Sequence, residues 1–304
     1  MTRKVLSIQS HVVHGYVGNK AATFPLQYRG WDVDALNTVQ FSNHPGYGQF
    51  HGFRSKAEDL KSIVKNGLVE GLGLQYDALL TGYLPDPEAL RQMGSLLSEM
   101  CESNPNIKWI LDPVLGDNGK LYVSQESIPA YKEILKRGAV FLATPNQFEI
   151  ETLTGVQISD LNTLKTAVCR FHELYPKIEY VVVTSVDPEP SISDFMLCVC
   201  SDRSSKSAQY FKIPKIDVQF SGSGDLFSAL LLDTFLSQSA ETRDLARAVN
   251  EVVSLVDTIL LKTLQIHTVQ NAQDKSKRIN DLKIIECRDL LGVKVDVKYS
   301  AFEL

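Results

Sequence analysis

Short apolar segments alternate with amphipathic helical patterns along the first 185 residues of the chain. The apolar segments, which we predict to be strands, cover residues 5–9, 31–37, 76–81, 108–111, 140–143 and 180–184. Between them apolar residues recur at helical spacing, as Leu164, Val168 and Phe171 do. Strands that alternate with helices pair in parallel, so the chain is predicted to form a three-layer α/β sandwich with a mostly parallel central sheet and helices on both faces.

The rest of the chain departs from this alternation. Residues 195–200 and 209–213 are strand-like, and we expect them to form an antiparallel edge of the sheet. Residues 245–264 carry apolar side chains at helical spacing and indicate a long, largely buried helix. Beyond it we predict a charged, solvated loop at 274–281, then a short helix and an alternating strand at 293–299.

The composition is that of an ordinary soluble globular protein, with 304 residues of which 44% are hydrophobic and 22% charged. No repeat or linker divides the chain, so we predict one domain, residues 1–304, with a small flap. The net charge of −5 and the lack of a long basic run argue against nucleic acid or an anionic membrane as a partner. No apolar run approaches the length of a membrane span, the first residues lead directly into a strand, and the five cysteines are scattered. We therefore expect a cytoplasmic protein with reduced thiols.

Three predicted helices begin with capping signals. The Asp-Pro dipeptide at 86–87 supplies an N-cap followed by a proline in the first helical position. Asn146 and Glu149 have the spacing of a capping box, and so do Ser55 and Glu58.

Residues 220–227, Phe-Ser-Gly-Ser-Gly-Asp-Leu-Phe, place two glycines at the start of another predicted helix. The unpaired N–H groups and the dipole of a helix N-terminus favour an anion such as phosphate, and glycine lets the backbone approach it closely. Asp225 could there accept a proton from a hydroxyl group while the amides hold a phosphoryl group. The alternative is that Ser223 or Asp225 is only an N-cap.

Polar residues follow several of the predicted strands. Ser10 follows the first, Asp112 and Asp117 follow the fourth, Thr144 follows the fifth, and the last one ends in Thr-Ser at 184–185. Because open α/β sheets bind ligands at the carboxyl ends of their strands, we expect these residues to surround one site.

Two further segments are candidates for the same region. Residues 39–52 are rich in Asn, His, Pro, Gly and aromatic residues and indicate a flap or an edge hairpin over a site. His11 and His14 lack an obvious third ligand, so we favour packing or a hydrogen bond to a ligand over metal binding.

Seven segments, taken together and in order, resemble those of the pyridoxal kinase family within the ribokinase-like superfamily. They are 7–12 (Ser-Ile-Gln-Ser-His-Val), 15–19 (Gly-Tyr-Val-Gly-Asn), 40–44 (Gln-Phe-Ser-Asn-His), 80–83 (Leu-Thr-Gly-Tyr), 112–117 (Asp-Pro-Val-Leu-Gly-Asp), 144–149 (Thr-Pro-Asn-Gln-Phe-Glu) and 222–225 (Gly-Ser-Gly-Asp). The resemblance covers nearly the whole chain and implies the ribokinase-like fold, ATP-dependent phosphorylation of the 5′-hydroxymethyl group of pyridoxal, pyridoxine and pyridoxamine, and a homodimer.

The resemblance also implies roles for individual residues in phosphoryl transfer. Asp225 would be the catalytic base, and the amides of Gly222, Ser223 and Gly224 would hold the transferring group. Mg²⁺, or another divalent ion such as Zn²⁺, and a monovalent cation such as K⁺ would be handled by Asp112, Asp117, Thr144 and Glu149. The residues near ATP would be Asp117, Tyr122, Asn146, Glu149, Thr184, Ser185, Ile216, Phe220, Ser221, Gly222, Ser223 and Gly224.

For the vitamer, the resemblance implies a pocket in which Ser10 hydrogen-bonds the pyridine ring. The pocket would be completed by Val17, Val39, Phe41, His44, Pro45, Tyr83 and Asp225. Ordinary core packing is the competing interpretation for the apolar members of this set. Pro45 is a departure, since the family is expected to carry threonine there, and the segment after Asp117 is shorter than expected.

Two other hypotheses stay open. A ribokinase-like relative acting on a hydroxymethylpyrimidine or a sugar would share the phosphoryl-transfer residues, but the segments 10–19 and 40–47 argue against it. A catalytically silent protein that stores or delivers the vitamer would need no base, so the retention of Asp225 and both glycines argues against that one.

Overall fold

The computed structural model describes residues 2–187, 193–270, 277–293 and 296–304. Its strands are β1 (Lys4–Val12), β2 (Asp32–Phe41), β3 (Gly52–Arg54), β4 (Ala78–Thr81), β5 (Lys108–Leu111), β6 (Gly116–Asp117), β7 (Lys120–Leu121), β8 (Leu142–Ala143), β9 (Tyr180–Val186), β10 (Phe195–Asp202), β11 (Ser207–Pro214), β12 (Gln219–Phe220), β13 (Arg278–Ile279) and β14 (Ala301–Glu303). Its helices are α1 (Asn19–Tyr28), α2 (Ala57–Ser62), α3 (Pro87–Ser103), α4 (Ser127–Arg137), α5 (Gln147–Thr154), α6 (Leu161–Leu174), α7 (Ser223–Leu236), α8 (Leu245–Gln270) and α9 (Arg288–Leu291). A 3₁₀ turn at Pro45–Tyr47 and a π-helical continuation of α2 at Ile63–Gly71 complete the set.

One ten-stranded sheet forms the centre of the molecule, in the order β14-β11-β10-β9-β8-β5-β4-β1-β2-β3. The strands from β9 to β2 in this order are mutually parallel. Antiparallel strands lie outside them, β3 at one edge and β10, β11 and β14 at the other. The predicted parallel sheet and its antiparallel edge are both confirmed.

The parallel strands are apolar on both faces, as a sheet between two helical layers requires. On β1, Leu6 packs into the core under helices α2 to α6, whereas its neighbour Val5 packs into the second core, under α1, α7 and α8. Leu79 and Leu80 on β4 divide in the same way. This alternation explains why the sequence shows continuous apolar runs for these strands.

Two of the three predicted capping signals are present in the structure. Asp86 accepts a hydrogen bond from the N–H of Ala89 at 2.9 Å, directly before the proline that begins α3. Asn146 and Glu149 form the reciprocal capping box that begins α5. The box predicted at Ser55 is wrong: its hydroxyl instead donates to the carbonyl of Asn37 at 2.8 Å, which ties the start of α2 to strand β2.

Two predictions for the end of the chain are also wrong. The described part of segment 293–299 contains no strand, because its polar groups bind helix α8 instead of a neighbouring strand. The N–H of Lys298 donates to Ser254, and the carbonyl of Tyr299 accepts from Asn250 at 2.6 Å. Nor is the second half of segment 274–281 a solvated loop, since Ile279 is 2% exposed and belongs to β13.

Helix α8 has 26 residues and, by length and composition alone, could span a membrane, contrary to the sequence expectation. Within the protein it packs against α7 and β10, and 44% of its most apolar window is buried. Its hydrophobicity is therefore accounted for by core packing, as predicted for residues 245–264.

A buried carboxylate on α7 binds the segment between α1 and β2. Asp233 on α7 is 7% exposed and accepts hydrogen bonds at 2.8 Å from the Trp31 indole and from the Arg29 guanidinium. We expect Asp233→Ala to lower the free energy of unfolding by roughly 2–4 kcal/mol, because both donors lose a charged partner. Chemical denaturation measures this, with exposed Asp289→Ala as the control expected to change stability by less than about 0.5 kcal/mol. Equal effects of the two substitutions would contradict the prediction.

Candidate active site

A cleft of about 1860 Å³ lies beyond the carboxyl ends of the parallel strands. Its walls come from the loops that follow β1, β2, β4, β5, β8 and β9 and from the first turn of α7. All of the site residues predicted from the sequence line it, namely Ser10, Val17, Val39, Phe41, His44, Pro45, Tyr83, Asp112, Asp117, Tyr122, Thr144, Asn146, Glu149, Thr184, Ser185, Ile216, Phe220, Ser221, Gly222, Ser223, Gly224 and Asp225. The structure thus brings together residues that are more than 200 positions apart.

The first turn of α7 forms the floor of the cleft without a capping side chain. The N-cap is Gly222, and no side chain caps it, so the interpretation of Ser223 or Asp225 as a plain N-cap is wrong. Gly222 has a φ of 85°, and a Cβ there would overlap the carbonyl oxygen of Tyr16. Only glycine allows this approach of two loops, which leaves the helix N-terminus open to an anion.

Asp225 lies where this helix meets the loop after β1. Its carboxylate accepts a hydrogen bond from the N–H of Gly18. Gly18 is itself packed so tightly on Ser10 that a Cβ would overlap the Ser10 hydroxyl. Desolvation raises the pKa of Asp225 from 3.8 to about 6, against the lowering effect of the Gly18 hydrogen bond. A carboxyl group with this pKa is ionised at neutral pH yet basic enough to accept a proton.

Two further buried carboxyl groups, Asp112 and Glu149, line the cleft with Asp225. Burial raises the pKa of Asp112 well above its usual range, and the charges of Glu149 and Asp225 raise it further. Glu149 is 2% exposed, and desolvation raises its pKa to about 8, although it accepts hydrogen bonds from the backbone N–H groups of Asn146 at 2.8 Å and Leu115 at 3.0 Å. Such a cluster carries its full negative charge only beside a cation.

The predicted metal ligands do not form a ready-made cage. Across the described residues, no three or more His, Cys, Asp or Glu side chains are arranged to hold a metal ion. Asp117 is exposed in the β6–β7 hairpin, and the Thr144 hydroxyl lies 3.0 Å from that of Ser228. Mg²⁺ in kinases keeps several waters and binds substrate phosphates, so few direct protein ligands are needed.

The wall near the antiparallel edge is suited to a nucleotide. Asn146 donates through its amide to the carbonyl of Gly116 at 2.8 Å, which holds the α5 N-terminus against the β6–β7 hairpin. Tyr122, 58% exposed, lies beside this hairpin. Sequence reasoning missed the apolar contribution of α8, whose Val253, Val256 and Leu260 line the same end of the cleft as Ile216 and Phe220. The helical pattern of α8 gave no signal that its core stripe reaches a site.

The opposite wall is apolar and separate from the two main cores. Val39 and Phe41 form a third small cluster with Val12, against which Val17 and Tyr83 pack. These side chains are therefore not part of the general core but line one end of the cleft. The arrangement suits the face of a flat ring.

The segment 39–52 joins β2 to β3 as an edge hairpin, and its tip, residues 42–51, is the flap. The flap is held by a segment that sequence reasoning placed in solvent. His44 is 6% exposed, and its Nδ1 accepts from the N–H of Gly46, so its Nε2 donates to the carbonyl of Asn280 at 2.9 Å. Tyr47 donates to the carboxylate of Asp281, which also accepts from the N–H of Tyr16 at 3.3 Å. Nothing in the charged sequence 277–281 signals these contacts.

Comparison with known proteins agrees with this geometry. The family model described as phosphomethylpyrimidine kinase matches residues 62–274. Pyridoxal kinase of Homo sapiens is 38% identical over 283 residues, which cover 88% of this chain and 87% of that protein. The chain belongs to the pyridoxal kinase family.

Two other comparisons cover nearly the whole chain. The Saccharomyces cerevisiae protein BUD17, itself assigned provisionally as a pyridoxal kinase, is 50% identical over 294 residues, which cover 95% of this chain and 93% of that protein. The pyridoxal kinase of Leishmania donovani in complex with ADP and pyridoxamine is 30% identical, with a TM-score of 0.86 and 99% of each chain covered. The ribokinase-like fold predicted from the sequence is confirmed.

The raised pKa of Asp225 predicts a stability penalty that appears as the pH rises. In the folded state the proton is held up to about pH 6, whereas the unfolded chain releases it near 3.8. The wild type should therefore lose stability between these values, and the loss should persist above pH 6. Asp225→Asn removes this penalty. The free energy of unfolding of the variant, measured relative to that of the wild type, should therefore be roughly 1–3 kcal/mol higher at pH 8 than at pH 4.

Chemical denaturation without nucleotide or divalent cations measures this difference. Asp160→Asn is a control of opposite sign, because the N–H and hydroxyl groups of Thr163 lower the pKa of Asp160 in the folded protein. If the Asp225→Asn variant instead loses stability relative to the wild type between pH 4 and pH 8, Asp225 is not desolvated as described.

Proposed function

We propose that this protein catalyses the ATP-dependent phosphorylation of the 5′-hydroxymethyl group of pyridoxal, pyridoxine and pyridoxamine, giving pyridoxal 5′-phosphate and the related phosphates. The observation that carries the proposal is the position of Asp225. It lies at the open N-terminus of α7 and accepts a hydrogen bond from Gly18, which packs on Ser10. Related proteins with this fold bind ADP together with pyridoxamine.

The proposed reaction divides between the two walls of the cleft. The vitamer lies against Val39, Phe41 and Tyr83 with Ser10 at the ring, and Val17, His44 and Pro45 complete the pocket. Its hydroxymethyl oxygen loses a proton to Asp225 and bonds the γ-phosphorus, while the bond from that phosphorus to the β-phosphate oxygen breaks and ADP leaves. The amides of Gly222, Ser223 and Gly224 stabilise the charge on the transferring group.

ATP lies along the other wall in this proposal, with its phosphates near Asn146, Thr184, Ser185 and Ser221. Its base lies among apolar side chains that include Ile216 and Phe220, with Tyr122 beside it. Mg²⁺, or another divalent ion such as Zn²⁺, and K⁺ bind near Asp112, Asp117, Thr144 and Glu149. The raised pKa values of Asp112 and Glu149 support this, since a bound cation lets both groups ionise. The divalent ion neutralises phosphate charge.

We further propose one domain, a homodimer joined through the sheet edge, and a cytoplasmic location. The C-terminal strand β14 pairs with β11 in the main sheet, which supports one folding unit. All five cysteines are free thiols and four are buried, as expected in a reducing compartment.

The direct test is an assay of purified protein with ATP, Mg²⁺ and each of the three vitamers, with a hydroxymethylpyrimidine and a sugar as competing substrates. Turnover of the vitamers at the highest kcat/KM is expected. Binding of the vitamers without phosphorylation would support a storage protein instead. Preference for the pyrimidine would assign the chain the activity that the matching family model describes.

Asp225→Asn is expected to lower kcat by about 10²- to 10⁴-fold, because the amide cannot accept the proton. The affinity for ADP should stay within about twofold, since the amides of α7 remain. Steady-state kinetics and calorimetry measure the two effects. In the wild type, kcat/KM should fall as the pH drops below about 6, where Asp225 becomes protonated. Normal turnover by the variant would rule out Asp225 as the base.

Pro45 offers a second test of the vitamer pocket. It occupies the first position of the 3₁₀ turn after His44 and lines the cleft. We expect Pro45→Thr to lower the KM for pyridoxal by about fivefold, the equivalent of one hydrogen bond to the substrate, with kcat little changed. Pro105→Thr, in an exposed turn away from the cleft, is the matched control. An unchanged KM in the Pro45 variant would place this side chain outside the contact surface.

A further inference from the structure

A guanidinium group lies at the mouth of the cleft and has no role in the reaction described so far. Arg278 belongs to β13, which pairs in parallel with β12 so that Arg278 is opposite Gln219 and Ile279 is opposite Phe220. The strand pair thus places Arg278 next to Ser221, the first residue of the segment 221–224, which we call the glycine loop. Arg278 lines the cleft.

Its contacts place the guanidinium between the flap and α7. Nη2 donates to the hydroxyl of Ser221 at 3.4 Å, one residue before the N-cap Gly222. On the other side, a Cβ added to Gly46 at the tip of the flap would lie 2.5 Å from the same nitrogen. Burial lowers the pKa of His44 on the flap, and the charge of Arg278 lowers it further. Burial raises the pKa of Tyr122 on the nucleotide wall, and the charge of Arg278 opposes that rise. The group therefore faces both halves of the site.

The charges in the cleft indicate what such a cation could do. Asp112, Asp117, Glu149 and Asp225 all line the cavity, and ATP brings about four more negative charges, so phosphate binding needs positive charge. Among the described residues, the Lys and Arg side chains that line the cavity are Lys215, Lys277 and Arg278. Arg278 is the one whose described contacts reach the start of the glycine loop.

We propose that Arg278 donates hydrogen bonds to the γ-phosphoryl group of ATP and stabilises the charge on it during transfer to the vitamer. The proposal rests on the proposed function, because it places the γ-phosphate at the open end of α7. A planar guanidinium matches two phosphoryl oxygens at once, which an ammonium group cannot do. Arg278 makes and breaks no covalent bond, and the proton still goes to Asp225.

The experiment compares two nucleotides that differ in the γ-phosphate. Calorimetry with Mg²⁺ gives the Kd of ADP and of the non-hydrolysable β,γ-imido analogue of ATP for the wild type, Arg278→Ala and Arg278→Lys. Arg278→Ala should raise the Kd of the analogue by about tenfold or more, as expected for a lost charge-assisted hydrogen bond. It should raise the Kd of ADP by less than about twofold. Its kcat with pyridoxal should fall by about 10²- to 10³-fold, a typical loss for one donor to a transition state.

Two further measurements separate contact with the phosphate from a purely structural role. Arg278→Lys should recover part of the analogue affinity, and added guanidinium ion should recover part of the kcat of Arg278→Ala. Arg170→Ala removes an arginine that is paired with Glu173 on the surface of α6, and should leave all these values unchanged.

Equal weakening of ADP and the analogue would overturn the proposal, since Arg278 would then only hold the loop. A higher Kd for pyridoxal with unchanged nucleotide binding would also overturn the proposal, because Arg278 would then only support the flap. The ratio of the two nucleotide affinities is measured without turnover. A wild type that phosphorylates no vitamer would therefore refute the proposed function and leave this test intact.

Discussion

The parallel pairing of six adjacent strands determines where chemistry can occur in this molecule. In a parallel sheet every strand ends at the same edge, so the loops after β1, β2, β4, β5, β8 and β9 open side by side. Helices cover both faces and exclude ligands from them. The close contact of Gly222 with the loop after β1 then brings the first turn of α7 to the same edge.

Concentrating carboxyl groups at this edge has an energetic cost for the protein without ligands. Burial raises the pKa values of Asp112, Glu149 and Asp225, and the charges of Glu149 and Asp225 raise that of Asp112 further. The folded protein without ligands therefore binds protons that the unfolded chain would release. Under the proposed function, a bound cation would supply the missing countercharge. The cleft is thus electrostatically incomplete by itself, which is a property of a binding site and not of a well-packed core.

The sequence predicted those parts of the structure that depend on local interactions. The capping box of Asn146 and Glu149 and the N-cap Asp86 need only neighbours within one helical turn, and both form as expected. The order of strands and helices follows from apolar periodicity alone. Asp112 and Thr144 could be proposed because each follows a strand whose end lies at the shared edge, and Asp225 because two glycines precede it at a helix start. The family resemblance then supplied their roles.

What failed depends on partners that are distant in the chain. Ser55 has a capping pattern, but its hydroxyl finds a closer acceptor on β2. The polar groups of Lys298 and Tyr299 bind α8 instead of a strand. Segment 277–281 is charged in sequence, yet strand β12, the flap and the loop after β1 bury or bind its residues. No local pattern encodes the positions of those three partners.

The carboxylate of Asp281 binds two segments that belong to different parts of the cleft, the hydroxyl of Tyr47 in the flap and the backbone of Tyr16 beside the glycine loop. A Cβ on Gly15 would also collide with it. In genetic terms these positions are epistatic. A substitution tolerated at 47 in one background would be unfavourable in another that differs at 281, so relatives should exchange these two residues together.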